Sequence, residues 1–367
     1  MRAVVFVSPE EPVEVWEVDL QPPGPGEVLV QIVAAGVCHS DLHLLRGEWI
    51  VPTPFVLGHE GSGVVVQVGA DVTDLSEGDH VVLSWVAPCR ACRHCRSGHE
   101  ARCEVAATVV GPGGVLSDGT SRLSRHGQTV FHQLGVSSYA EFAVVPASGA
   151  IPVPKDAPLD TLALLGCAVT TGVGAVMNTA KVHRGSTVAV VGCGGVGLSV
   201  VQGARLAGAD RIIAIDVRPE KAALALTLGA TEAIDVSEVA ADIALRELIP
   251  GGVDYAFDAI GKVTTTEQVI RMLGIGGSAV LVGLPPSGAR ASFEPLELAG
   301  ADQRILGSNY GGVQPSRDIP WLADRFMAGE LLLEPLISAR RELEAASDAL
   351  EELESGRALR TLLLPGA

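Results

Sequence analysis

VAVVGCGGVGLSV, Val188 to Val200, carries the clearest signal of the fold in this chain. An apolar, β-branched run of strand length ends at a glycine-rich turn, and a helix-compatible sequence, VGLSVVQGARLAGA, follows at once. Gly192, Gly194 and Gly197 stand as G-x-G-x-x-G. Glycine at these points permits the tight turn, close approach of backbone to a pyrophosphate, and tight helix packing, while the helix N-terminus attracts the phosphates. In a chain with 43 glycines the motif alone is weak. Its context strengthens it. Asp216 ends the next strand-like run, IIAID, about twenty residues on, where a carboxylate can accept hydrogen bonds from an adenosine ribose and repel a 2′-phosphate. NAD is therefore expected rather than NADP, with Arg218 as the nearby residue that argues the other way. A helix N-cap is the plain structural alternative for Asp216. Cys193, inside the loop, is assigned no chemistry.

Outward from this stretch the rhythm is strand then helix: STVAVVG, RIIAIDV, a helix through Leu228, GGVDYAFDAIG and SAVLVGL. Alternation of this kind implies a parallel sheet with helices on both faces. Before it, from Met1 to about Pro154, short β-rich runs such as EVLVQIVAAGV and GDHVVLSWV are punctuated by turns, which suggests an antiparallel, barrel-like domain. After about Asn309 an acidic, helix-prone tail ends in the strand-like RTLLLP. The chain is expected to return to its first domain, giving a catalytic domain of residues 1–167 and 310–367 with a nucleotide domain, 168–309, inserted.

A length of 367 residues suits two domains at roughly 150 residues each. Lys and Arg total 26 against 43 Asp and Glu, a formal charge of −17 that repels phosphate backbones and anionic membranes. The opening residues carry one basic side chain and too short an apolar run for a signal peptide. The apolar stretch from Leu162 to Ala180 is broken by Gly, Thr and a Cys and reads as a buried helix with its approach. A cytoplasmic protein with no nucleic-acid or membrane partner is expected.

Seven cysteines, an odd number, favour metal ligation over disulfides. Cys89, Cys92, Cys95 and Cys103 lie close enough in sequence to close a tetrahedral zinc site. An iron–sulfur cluster fits less well, because the last spacing and the lack of a following Pro do not match the ferredoxin run. Four ligands leave no open position, so this lobe, about 89–103, can hold a loop but cannot do chemistry. A catalytic zinc needs about three protein ligands and a free position. Cys38 in GVCHSD, His59 in GHEGSG and Cys167 in GCAVTTG are isolated in sequence, each beside Gly or small residues. Spacing does not link them, and each read alone is a buried Cys or a satisfied core His.

The ordered set GVCHSD, GHEGSG, the four-Cys lobe, DGTSRLS, GCAVTTGVGA, GCGGVG, IIAID, VLVGLP and SGRALRTLL spans essentially the whole chain. It resembles the zinc-containing medium-chain alcohol dehydrogenases, in particular their liver-type and class III branch. The resemblance implies a GroES-like, mostly-β catalytic domain joined to a Rossmann doubly wound parallel-sheet domain, two zinc ions per chain, and NAD. It implies Cys38, His59 and Cys167 as catalytic zinc ligands, Glu60 as a carboxylate that can approach the metal transiently, and Asp41 as the acid that orients the ligand His. Two thiolates cancel the zinc charge and leave a neutral Lewis acid. Ser40 matches the hydroxyl beside the alcohol, and His43 the imidazole that passes its proton to solvent. Among cofactor contacts, His39 matches a pyrophosphate contact and Val196 the residue backing the nicotinamide. Thr171, Gly195, Lys221, Val282 and Arg360 match further contacts.

Class III members use acidic residues after the first zinc ligand and an Arg past the four-Cys lobe to handle a glutathione adduct of formaldehyde. Here that loop, RGEWIVPTPF, has one acid, and Ala107 stands about where the Arg would lie. The expected pocket wall is Trp85, Leu134 and Leu284, with Trp49 and Asn309 as neighbours. Large apolar walls favour medium-chain or aromatic primary alcohols. The rival readings are a thiol-adduct formaldehyde dehydrogenase on the same scaffold and a non-catalytic NAD-binding protein. The segment DGTSRLSRHGQTVFHQLG, about where the dimeric branch carries an extra loop, makes a homodimer the expected assembly, with a tetramer, found in related bacterial enzymes, as the alternative.

Overall fold

The structure is a computed structural model that describes residues 1–9 and 11–366. It divides into two compact units, Met1–Ala168 with Gln314–Ala367, and Val169–Val313. The chain opens the first unit with β1 (Arg2–Phe6), β2 (Glu27–Gly36), α1 (His39–Leu45), β3 (Gly61–Val68), β4 (His80–Leu83), β5 (Phe142–Pro146) and β6 (Ala150–Pro152). In β2 the sequence EVLVQIVAAG buries Val28, Val30 and Ile32 on one face while Gln31 stays exposed, the period of two that a half-buried strand requires. Those three side chains meet Val65, Val81, Leu83, Ala143 and Val145 in one apolar cluster. Each such burial stabilises the fold by about 1.5–3 kcal/mol before conformational entropy is charged against it.

The second unit follows with β7 (Thr187–Val191), α2 (Gly195–Ala207), β8 (Arg211–Asp216), β9 (Glu232–Asp235), β10 (Val253–Asp258), β11 (Leu273–Leu281) and β12 (Arg304–Gly307). All five pairings are parallel and the spatial order is β9-β8-β7-β10-β11-β12. The order reverses between β7 and β10, the switch point of a doubly wound sheet, and the glycine turn leaves the end of β7 there.

The chain then completes the first unit with β13 (Ile337–Glu342), α3 (Ala346–Glu354) and β14 (Arg360–Leu364). The seven-stranded sheet runs β6-β4-β3-β2-β14-β13, with β5 also paired to β2. Its pairings are antiparallel except β13 with β14, so the barrel-like domain is mixed at the edge that the tail adds. The return of the chain has a local consequence. Strand β14 pairs with the end of β2, Leu362 opposite Gly36, and Thr361 accepts from the Val37 N–H at 2.9 Å, which brings Arg360 beside Cys38.

Candidate active site and metal centres

Cys38 ends the turn out of β2 and caps α1, His59 lies just before β3, and Cys167 follows a helical turn packed on that strand. Their ligand atoms lie within 4.8 Å of one another, and all three side chains are buried. Small residues make the convergence possible. A Cβ at Gly166 would fall 2.8 Å from the Leu83 carbonyl oxygen and 3.0 Å from Gly61 N, so residue 167 reaches the site only because residue 166 has no side chain.

Asp41, fully buried, fixes this ligand set. Its carboxylate accepts from the Cys38 N–H at 2.9 Å and from His59 Nδ1 at 3.1 Å. With Nδ1 bonded to Asp41, the free lone pair of His59 is on Nε2, and that buried atom has no hydrogen-bond partner among the described residues. A buried imidazole nitrogen left open beside two sulfurs is what a borderline-soft cation needs, so the residues fit zinc. The hydrogen bond that Cys167 gives to Cys38 holds the Cys38 thiol well below its ordinary pKa; burial opposes the shift and Arg360 adds to it. Of the two thiols, Cys38 is the more readily ionised.

Behind the sulfurs lies an ion pair that the sequence does not announce. Arg360 Nε is 3.3 Å from Glu60 Oε1, its Nη2 donates to Cys38 Sγ at 3.4 Å, and both side chains are nearly or fully excluded from water. Glu60 Oε2 accepts from the Ala168 N–H at 2.8 Å. Burial pushes the Glu60 carboxyl up to about 7 against the pull of the Arg360 guanidinium. The structure therefore places Arg360, expected as a cofactor contact, against a metal-site sulfur.

Ser40 Oγ lies 3.7 Å from Cys38 Sγ. His43 Nδ1 is hydrogen-bonded to Glu48, and its ring stacks on Trp49 with centroids 4.5 Å apart. His39 is exposed at the start of α1. Trp85 is half-buried against the apolar cluster under β2, and Leu134 adopts a positive φ of 53°. Leu284, 48 % exposed, and Asn309 belong to the second unit.

In the lobe, the Sγ atoms of Cys89, Cys92, Cys95 and Cys103 also lie within 4.8 Å of one another. Cys92 and Cys95 sulfurs are 3.5 Å apart, and Cys89 and Cys95 sulfurs 3.9 Å. These values bracket the roughly 3.8 Å edge of a tetrahedron with zinc–sulfur bonds of about 2.3 Å. Backbone N–H groups of Cys89, Cys92 and Cys95 point at Cys103, Cys89 and Cys92 sulfurs, so the loop is wound to stabilise thiolates.

In the second unit, Gly192 has φ +95°, and a Cβ at Gly197 would lie 1.7 Å from the Gly192 carbonyl oxygen. Gly194 by contrast has open space where a Cβ would stand. Asp216 accepts from the Cys193 N–H at 2.6 Å and the Arg218 N–H at 2.9 Å, which pins the carboxylate at the glycine turn with lone pairs to spare. Gly195 and Val196 open α2, Lys221 is partly buried, and Thr171 and Val282 are buried. Burial pushes the Cys193 thiol up to about 12, consistent with an inert packing residue.

Gln133, Tyr139 and Gly36 were not singled out by sequence reasoning. Gln133 and Tyr139 bond to Asp41, and a Cβ at Gly36 would fall 2.0 Å from Glu60 Oε1. No motif marks them, because each acts through a residue distant in the chain.

Two family models match the chain: the alcohol dehydrogenase GroES-like domain over residues 24–155 and the zinc-binding dehydrogenase domain over residues 195–328. The chain is similar to an S-(hydroxymethyl)glutathione dehydrogenase of Escherichia coli, 39 % identical over 99 % of both chains. Among solved structures it resembles an alcohol dehydrogenase zinc-binding domain protein from Burkholderia ambifaria, with TM-score 0.94 and 39 % identity over 99 % of this chain and 98 % of that one. It also resembles benzyl alcohol dehydrogenase from Acinetobacter calcoaceticus, with TM-score 0.93 and 33 % identity at the same coverage. Among the described residues no single helix is long and apolar enough to cross a membrane.

Proposed function

Because the chain belongs to the zinc-dependent medium-chain alcohol dehydrogenase family, with GroES-like and Rossmann domains, we propose that it oxidises apolar primary alcohols, benzyl-type or medium-chain, to aldehydes with NAD, reversibly. The observation that carries this reading is the meeting of Cys38, His59 and Cys167 around an unpartnered His59 Nε2. These three residues would hold the catalytic zinc, and the four lobe thiolates the structural one. When bound, zinc supplies Lewis acidity toward an alcohol oxygen and NAD supplies the hydride acceptor.

The protein's own groups supply the rest. Asp41 keeps the His59 proton on Nδ1. Ser40, beside Cys38, takes the hydroxyl proton, and His43 passes it outward, its ring held by Glu48 and Trp49. Gly192, Gly194 and Gly197 receive the pyrophosphate, and Asp216 the adenosine ribose.

The substrate reading rests on Glu48. It is the one acid of the loop Arg46–Phe55, and it is engaged by His43, so it is not available to a charged adduct. Ala107 is exposed and offers no cation. A second reading, oxidation of a thiol adduct of formaldehyde, is favoured by the name of the Escherichia coli relative. A homodimer is the assembly we assign, to be checked by light scattering.

NADH formation should be followed with benzyl alcohol, medium-chain alcohols, and formaldehyde with and without glutathione or another low-molecular-weight thiol. Turnover of benzyl alcohol with no thiol is expected. Turnover of formaldehyde only when a thiol is present, with benzyl alcohol inert, would overturn the first reading in favour of the second.

A further inference from the structure

The Asp41 carboxylate, which touches both a cysteine and the histidine of the metal site, is itself held by two side chains from one remote segment. Oδ1 accepts from Gln133 Nε2 at 2.7 Å as well as from His59 Nδ1 at 3.1 Å. Oδ2 accepts from the Tyr139 hydroxyl at 2.7 Å as well as from the Cys38 N–H at 2.9 Å. A carboxylate has about four acceptor sites, and all four are used here. Gln133 does a second task. Its Oε1 accepts from the Gly58 N–H, so one amide holds both the acid behind His59 and the backbone entering it. Tyr139 and Asp41 are fully buried, His59 is 1 % exposed and Gln133 4 %.

The alternative is plain packing, since the Tyr139 ring sits in the apolar cluster with Val4, Phe6, Val37 and Leu42. Packing explains the ring but not the hydroxyl. Burying a phenol hydroxyl and a primary amide costs free energy unless they are bonded. The hydroxyl lies 2.7 Å from Asp41 Oδ2 against 3.2 Å from the Gly36 carbonyl oxygen, and the amide nitrogen 2.7 Å from Asp41 Oδ1 against 3.2 Å from His59 Nδ1, so the carboxylate is the shorter contact of each. Without them Asp41 would be a buried charge with half its lone pairs empty, free to rotate away from His59 Nδ1.

We propose that Gln133 and Tyr139 are positioning residues of the catalytic metal site: they clamp Asp41 so that His59 Nε2 stays aimed at the ion, and they set how tightly the ion is kept. This inference rests on the zinc reading of residues 38, 59 and 167. It concerns metal retention, which can be read without turnover.

The test is zinc release from the purified chain to a colorimetric chelator in excess, following both ions. Tyr139→Phe keeps the ring and removes only the hydroxyl. Gln133→Leu removes the amide. Phe6→Leu, in the same cluster but without a bond to Asp41, reports packing alone. Loss of a partner behind a metal-bound histidine typically costs 10–100-fold in affinity. Tyr139→Phe and Gln133→Leu should each release one zinc about tenfold faster than the unaltered chain, while the second, four-cysteine zinc leaves at an unchanged rate. Phe6→Leu should lower the melting temperature with both release rates unchanged. Unchanged release from Tyr139→Phe, or equal acceleration in Phe6→Leu, would overturn the proposal. An unaltered chain that holds only one zinc would instead overturn the metal reading beneath it.

Discussion

Gly36 lies directly under Glu60: a Cβ on residue 36 would fall 2.0 Å from Glu60 Oε1 and 2.8 Å from its Cδ. The absence of one side chain is what admits a carboxylate to the buried space behind Cys38. Gly36→Ala should therefore displace Glu60 from Arg360 and strain the end of β2, at a cost of about 1–3 kcal/mol for overpacking. A lowered denaturation midpoint with reduced turnover is expected. Unchanged stability would mean that Glu60 has another place to go.

Two glycines of the nucleotide turn should behave differently. Gly197→Ala meets the Gly192 carbonyl oxygen at 1.7 Å and should destabilise the second unit outright. Gly194→Ala meets nothing within 4 Å among the described residues, so the chain should fold with an unchanged melting temperature. Its methyl group should obstruct the pyrophosphate, weakening NAD by about tenfold or more, roughly 1.4 kcal/mol in binding free energy. Calorimetric titration with NAD checks this. Wild-type affinity in Gly194→Ala would remove the pyrophosphate from that turn.

This contrast shows how much was legible in the sequence. The VAVVGCGGVG run and the strand–helix rhythm around it dictate the parallel sheet, because periodicity and turn chemistry are local. Cys89, Cys92, Cys95 and Cys103 were equally legible, since one short loop carries all four ligands. Cys38, His59 and Cys167 were not legible from spacing. Strand pairing of β2 with β3 and the close packing of Gly166 bring them together, and neither leaves a local pattern; family resemblance alone pointed to them. Gln133 and Tyr139 had no signal of either kind. The place of Arg360 beside Cys38 follows from the pairing of β14 with β2, a long-range register that no local rule specifies.

His132 should impose a measurable acid sensitivity. The ring is 3 % exposed, its Nε2 accepts from the Arg122 N–H at 3.3 Å, and Nδ1 bonds to Ser137 Oγ at 3.2 Å. Burial, helped by the Arg122 guanidinium, lowers its pKa from 6.5 to about 3. Between these values the unfolded chain binds a proton that the folded chain refuses, so this contribution to stability is complete above about pH 6.5 and declines as pH falls. The slope is about 1.4 kcal/mol per pH unit for one proton. His132→Gln should flatten the acid limb of the stability curve by that amount. Parallel curves for the two proteins would contradict it.

Breaking the lobe should separate its zinc from the other. Cys95→Ser removes a sulfur lying 3.5 Å from Cys92 Sγ and 3.9 Å from Cys89 Sγ, leaving a three-thiolate remnant. One zinc per chain should be lost, and the loop from Cys89 to Cys103 should become open to proteolysis. Retention of both ions would show that the lobe does not need its fourth thiolate.

Metal analysis of the unaltered chain beside His59→Ala, with NAD-linked alcohol oxidation measured on the same samples, tests whether one shared ion does the chemistry. Two zinc ions per chain falling to one, with turnover lost, is the predicted result. A His59→Ala protein that keeps both ions, or that still oxidises alcohol at the original rate, would contradict the claim that residues 38, 59 and 167 share the ion that does the chemistry.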